Sequence, residues 1–184
     1  DVEITQEVSD IFDLTDVQYA YWAGRQNDQE LGGVGCHAYF EFDGNGVDIE
    51  RLRKAWITLQ KAQPMLRAKF MENGRQTIKA ASEFVDMKAY DFSEMAVSEC
   101  DSRLLLIREQ LSHEKLEVEA GRNLNFTYVS LAGGKSRIFL SVDLLVADVA
   151  SIHYLITQLT TLYHGKEIKH FEDKTFARYI QKQK

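Results

Sequence analysis

The chain has 184 residues, 45% hydrophobic and 27% charged, which is enough for one domain with a substantial core and too apolar for disorder. A formal net charge of −6, with no Lys/Arg block interleaved with the aromatics, argues against nucleic acid as a main partner. The apolar runs break well short of membrane-spanning length, the opening Asp-Val-Glu-Ile-Thr is no signal peptide, and Cys36 and Cys100 form neither a CxxC pair nor a disulfide framework, so the cytoplasm is the expected compartment.

Residues 1–13 are mostly polar and acidic and read as a lead-in segment. A helix is expected from Thr15 or Asp16, with Val17, Ala20 and Tyr21 as its stripe and an end near Gly24-Arg25. The following Leu31-Gly32-Gly33-Val34-Gly35 lacks the Lys-Ser/Thr ending of a phosphate loop, so a nucleotide reading is weak. His37 to Phe42 alternates as a strand and turns over Asp43-Gly44-Asn45-Gly46. Asp48 caps a helix with the stripe Ile49, Leu52, Ala55, Trp56 and Leu59, ending before Pro64, the only proline. Met65–Phe70 and Gln76–Ala80 are expected as strands joined across Asn73-Gly74, and Phe84–Tyr90 as a further strand.

Leu104, Ile107 and Leu111 define a helix from near Val97 to His113. Phe126–Leu131 and Ser136–Val142 form a hairpin around Gly133-Gly134, and a core helix then runs to Gly165. A last amphipathic segment spans Phe171–Ile180. No repeat or linker appears. The pattern predicts one α/β sandwich-like unit with helices against a mixed sheet.

The chain is organised around residues 142–151, Val-Asp-Leu-Leu-Val-Ala-Asp-Val-Ala-Ser, where the strand pattern gives way to a helical one. Strand ends running into helix starts are common sites of chemistry in α/β folds. Two readings stand side by side. Asp148 is a good N-cap with Ser151 in the first turn, and Asp143 is a strand-end carboxylate facing water. Alternatively, the apolar company of Leu144 to Ala147 buries a carboxylate, which then needs a charge or hydrogen-bond partner. Nothing near His37 completes a metal set, and His113, His153, His164 and His170 lack the context of a nucleophile elbow or an H-E-x-x-H helix. The polar, acidic surroundings of Cys100 argue against a stabilised thiolate.

Three stretches carry a resemblance. Leu14-Thr15-Asp16-Val17-Gln18-Tyr19-Ala20-Tyr21-Trp22-Ala23-Gly24-Arg25 resembles the opening motif of heterocyclization domains of nonribosomal peptide synthetases. Pro64-Met65-Leu66-Arg67-Ala68-Lys69-Phe70 is similar to their second motif, and Asp143, Asp148 and Ser151 fit their D-x-x-x-x-D-x-x-S pattern. The stretch from Gly35 to Phe42 and the helix end Leu162-Tyr163-His164-Gly165 are also similar. Asp13 stands where the first motif usually has proline, and Ala62-Gln63 where the second usually has Arg-His. The resemblance is closest to siderophore assembly-line domains that make thiazoline or oxazoline rings.

This resemblance implies a chloramphenicol-acetyltransferase-like fold, a two-layer α/β sandwich, of which residues 1–184 match the N-terminal lobe. It implies condensation of a carrier-bound acyl thioester with Cys, Ser or Thr, then cyclodehydration. No cofactor is implied as directly bound, because the substrates ride on phosphopantetheine arms. The implied partners are upstream and downstream carrier proteins and the C-terminal lobe of the same domain. The sister family of plain condensation domains carries two adjacent histidines and an aspartate in this loop. Asp143 replaces the first histidine, Leu144 the second, and Asp148 matches the aspartate. Since Leu144 cannot accept a proton, the resemblance favours heterocyclization over condensation alone.

The resemblance further implies a salt bridge between Arg67 and Asp148, leaving Asp148 as organiser, Asp143 as the group nearer to proton transfer, and Ser151 bonding the loop. Thr15, Gln18, Tyr21, Gly24 and Arg25 are implied first-motif residues. For Tyr21 a plain place in the core stripe is the simpler reading, and Arg25 at a helix end suits binding of terminal carbonyls. The alternatives are a non-catalytic lobe that docks carrier proteins, or a condensation-only domain.

Overall fold

The alternation of Ala38, Phe40 and Phe42 with Tyr39 and Glu41 gives one strand two faces to bury, and the architecture follows from how both are covered. The computed structural model describes residues 11–26 and 37–168; the glycine-bearing stretch 31–35 and the segment 171–180 lie outside them. In chain order the elements are β1 Ile11–Asp13, α1 Asp16–Gln26, β2 His37–Asn45, α2 Ile49–Ala62, β3 Ala68–Phe70, β4 Arg75–Ile78, β5 Lys88–Asp91, α3 Val97–Ser112, β6 Leu124–Ser130, β7 Lys135–Asp143 and α4 Val149–Tyr163.

The main sheet has the order β2-β7-β6-β5, antiparallel except for the parallel β5–β6 pair, which needs the α3 crossover. A smaller sheet, β1-β4-β3, stands beside it. On one face of the main sheet, Leu124, Phe126, Leu140 and Val142 meet Trp56 and Leu59 of α2 and Ile152 and Leu159 of α4. The Trp56 ring stacks on Phe126 at 4.4 Å between centroids. On the other face Val129 and Phe139 meet Leu104 and Leu111 of α3. Burial on both sides explains why β6 is buried along nearly its whole length. The α/β class and mixed sheet are as expected, and α3 closes the second face.

Several boundaries differ from the sequence reading, each for a local reason. Ile11–Asp13, read as part of a lead-in, pairs with β4 as an edge strand. The expected strand from Met65 begins only at Ala68, because Pro64 opens a short 3-10 turn over Pro64–Arg67. The strand expected from Phe84 begins at Lys88. Upstream, the backbone groups of Val85 are taken by the Gln60 side chain, which donates to its carbonyl and accepts from its N–H at 2.9 and 2.8 Å. At Asn73-Gly74 the hairpin forms as expected, with Gly74 at φ +72°. Among the described residues, no helix is long and apolar enough to cross a membrane.

Candidate functional site

β7 carries its last residue, Asp143, into the protein rather than to water: it is 1% exposed. The reading of a solvent-facing strand end is therefore corrected. Its backbone N–H donates to the Asn123 carbonyl at 2.9 Å, which extends the β6–β7 ladder and fixes where the side chain points. Asp143 Oδ2 accepts from Arg25 of α1 at 2.7 Å, with both side chains almost wholly buried. Its Oδ1 accepts from the Leu145 N–H at 3.0 Å, folding the loop back over the carboxylate. The second Arg25 nitrogen donates to the Leu116 carbonyl at 2.5 Å. Arg25 thus binds a carbonyl as its helix-end position suggested, but one from another element.

Burial pushes the Asp143 carboxyl above the ordinary carboxylate range, while the Leu145 N–H, Arg25 and His37 pull it back down. A guanidinium does not deprotonate in proteins, so protonating Asp143 would leave Arg25 buried without a counter-charge. The pair therefore holds the carboxylate form.

The rest of the first motif serves the same loop. Thr15 and Gln18 form a capping box: Gln18 N donates to Thr15 Oγ1 at 3.1 Å and Thr15 N to Gln18 Oε1 at 3.0 Å. Gln18 Nε2 reaches across to the Leu145 carbonyl at 2.8 Å, and Gln18 and Gln76 exchange amide hydrogen bonds at 2.8 and 3.2 Å. Tyr21 packs half-buried against the core, in accord with the stripe reading, and Trp22 is buried. No described atom lies within 4 Å of where a Gly24 side chain would stand, so packing gives no reason for that glycine.

Asp148 lies five positions on and in the opposite environment. It is the exposed N-cap of α4, accepting from Ser151 N at 2.7 Å. Hydrogen bonds from the Ser151 backbone and hydroxyl hold its carboxyl below the usual range. The capping reading is correct, and Ser151 bonds the loop. The implied Arg67–Asp148 salt bridge is not formed. Arg67 is buried and donates to the carbonyls of Gln60, Lys61 and Lys79, bracing the end of α2 against β4. Those C-terminal carbonyls are strong acceptors for a guanidinium, and they outcompete a solvated carboxylate on another helix. The buried ion pair at this loop is Arg25–Asp143. What the sequence reading missed was the pairing, since the motifs hold two arginines, Arg25 and Arg67, and spacing does not choose between them.

Val17 and Tyr19 on α1, and Val149 and Tyr154 on α4, are all more than half exposed. An apolar cavity of about 360 Å³ lies elsewhere, between α2, α4 and the sheet; no residue of the three motifs lines it, but Phe42 and Tyr163 of the two other similar stretches do. Among the described residues, no group of three or more His, Cys, Asp or Glu is placed to hold a metal ion.

A family profile described as the condensation domain matches residues 8–184. The phenyloxazoline synthase MbtB of Mycolicibacterium paratuberculosis is 38% identical over 159 residues, 85% of this chain and 13% of that protein. The pyochelin synthetase PchE of Pseudomonas aeruginosa is 36% identical over 177 residues, 93% of this chain and 12% of that protein. The EpoB cyclization-docking bidomain of a nonribosomal peptide synthetase from Sorangium cellulosum superposes with a TM-score of 0.86 at 26% identity, covering 94% of this chain and 34% of that one. The chain therefore spans only 12–13% of the length of these curated relatives.

Proposed function

Since the chain belongs to the condensation-domain family, we propose that it forms the N-terminal lobe of a heterocyclization domain in a nonribosomal peptide synthetase. The reaction joins a carrier-bound acyl thioester to the amine of a carrier-bound Cys, Ser or Thr. The side-chain thiol or hydroxyl then adds to the new amide carbonyl, and water leaves to give a thiazoline or oxazoline. Two relatives, named as a phenyloxazoline synthase and a pyochelin synthetase, support this reading.

The observation that carries it is the loop from Asp143 to Ser151. A buried, ion-paired carboxylate stands where plain condensation domains have a histidine, with an exposed carboxylate five residues later. In this reading Asp143 and Arg25 set the shape of the loop, reversing the roles that the resemblance implied. Asp148 and Ser151 stand at the surface where tethered substrates can be placed. A carboxyl held below its usual range is a weak base, so Asp148 orients donors on the substrate rather than taking their protons. The exposed apolar side chains of α1 and α4 suit a face completed by the C-terminal lobe. Upstream and downstream carrier proteins bring the substrates on phosphopantetheine arms.

The test is the intact mass of products from the longest native polypeptide carrying this chain, given an acylated upstream carrier and a Cys-loaded downstream carrier. Loss of one water beyond simple condensation supports ring closure. An open amide alone would assign the protein to condensation without cyclization, and no product under any condition would leave a docking lobe.

A further inference from the structure

Gln76 is a polar residue at the centre of an apolar row. It sits on β4, the middle strand of the small sheet, directly opposite Phe12 of β1 on one side and Phe70 of β3 on the other. Directly opposed residues share a face of the sheet. Both phenylalanines are buried, and Gln76 is 0% exposed. An apolar side chain would fill the same place, whereas a buried amide is costly unless its hydrogen bonds are made. Gln76 lies outside all three motif stretches.

The bonds are made, and they run one way. Gln76 Nε2 donates to the Asp13 carbonyl at 3.1 Å and to Gln18 Oε1 at 2.8 Å, while its Oε1 accepts from Gln18 Nε2 at 3.2 Å. Gln18 Oε1 also accepts from the Thr15 N–H, and Gln18 Nε2 also donates to the Leu145 carbonyl. Both donors and both acceptor positions of the Gln18 amide are thus filled. A backbone N–H only donates and a carbonyl only accepts, so Thr15, Leu145 and Asp13 fix which end of each amide is oxygen. Neither amide can turn over without setting oxygen against oxygen at a backbone carbonyl.

The pair ties the small sheet to the loop. β4 is hydrogen-bonded on both sides, by β1 and β3, which makes Gln76 the anchored end. Leu145 is the other end: its N–H holds the Asp143 carboxylate, and its carbonyl is held by Gln18. Three residues beyond Leu145, Asp148 caps α4 at the surface. A shift at Leu145 is passed along those three residues to the Asp148 carboxylate.

We propose that Gln76 is a positioning residue for the loop from Asp143 to Ser151. It orients the Gln18 amide, and through it the Leu145 carbonyl, so that the loop is set before the loaded carriers arrive. The inference rests on the heterocyclization reading. Gln76 is wholly buried and touches no substrate; what it supplies is placement. A misplacement of about 1 Å can cost about 10²-fold in rate.

Two variants in the longest native polypeptide separate positioning from packing. Gln76→Glu is isosteric, but its carboxylate presents an oxygen where Gln18 Oε1 and the Asp13 carbonyl need a donor. Gln76→Met keeps the volume of the row and leaves the Gln18–Leu145 bond in place. With both carriers loaded, Gln76→Glu should form ring product about 10²-fold more slowly at saturation, with KM for each carrier within about twofold of wild type. Gln76→Met should lose less. Hydrogen exchange read by mass spectrometry on the same polypeptides should rise in peptides spanning 143–151, while α2 and the main sheet exchange as in wild type. A saturating rate for Gln76→Glu within about threefold of wild type would overturn the assignment. So would exchange raised throughout α2 and the main sheet in both variants, which would mark Gln76 as packing alone. A wild type that makes no ring product would instead refute the heterocyclization reading, and this inference with it.

Discussion

The Arg25–Asp143 pair gives the sharpest prediction, because its two halves fail differently. Two unit charges about 4 Å apart, centre to centre, attract by about 4 kcal/mol at an effective dielectric of about 20. Removing one partner also strands the hydrogen bonds of the other, so each single substitution should cost about 3–5 kcal/mol. That is a large part of an ordinary domain stability of about 5–15 kcal/mol. Arg25→Met leaves a buried carboxylate, whereas Asp143→Asn keeps an acceptor for the Leu145 N–H but leaves a buried guanidinium.

The pH dependence separates them. Asp143 is already raised by burial, and Arg25 is among the groups holding it down, so Arg25→Met should raise it further. A carboxyl raised in the folded state contributes stability that is fully present below its unfolded value and is lost as pH rises through the folded value. The deficit of Arg25→Met should therefore be small at acid pH and grow toward neutrality. The deficit of Asp143→Asn should instead narrow over the same window, because the substitution removes the carboxyl whose raised folded value costs the wild type stability as pH rises, and the guanidinium left behind does not titrate there. The double variant should lose less than the sum of the singles, with a coupling of about 2–3 kcal/mol. Guanidinium denaturation of all four proteins between pH 4.5 and 8, values chosen about the carboxylate range, reads these differences. Level deficits for both singles, or strict additivity, would refute the ion-pair account.

Other substitutions test neighbouring contacts. Asp148→Ala removes the N-cap of α4 and should cost about 1 kcal/mol, most of it recovered by Asp148→Ser, as read by thermal unfolding. The stabilising effect of Asp148 should be present above its unfolded value and fade as pH falls through its lowered folded value, but only slightly at so exposed a site. Arg67→Met should be strongly destabilising, yet additive with Asp148→Ala within about 0.5 kcal/mol, because the two side chains are not paired. Gln18→Leu strands the Leu145 carbonyl and the Gln76 amide and should cost about 1–3 kcal/mol, with amide exchange rising in the loop.

The larger architecture was legible because its signals are local. The apolar stripe of α2, the Asp48 cap, the Asn73-Gly74 turn and the strand-to-helix switch after β7 each follow from residues within a few positions. The boundaries that moved did so through long-range side-chain contacts, such as Gln60 taking the backbone of Val85. The site divides the same way. Asp148 as a cap is a contact three residues long, and it was readable. Arg25–Asp143 closes a gap of 118 residues, and nothing in the spacing distinguished Arg25 from Arg67 as the partner. Burial of Asp143 required a cation somewhere; only the fold says which. The place of His37 opposite Asp143 depends on strand register, which a lone histidine does not reveal.

The central claim is that this chain belongs to a ring-closing domain, and the fate of one oxygen tests it most directly. The acyl group on the upstream carrier would be labelled with oxygen-18 at its carbonyl, and products of the longest native polypeptide carrying this chain would be weighed intact. Side-chain attack on the amide expels that oxygen as water, so the account predicts a ring product free of the label. An open-chain product that retains the label would contradict it.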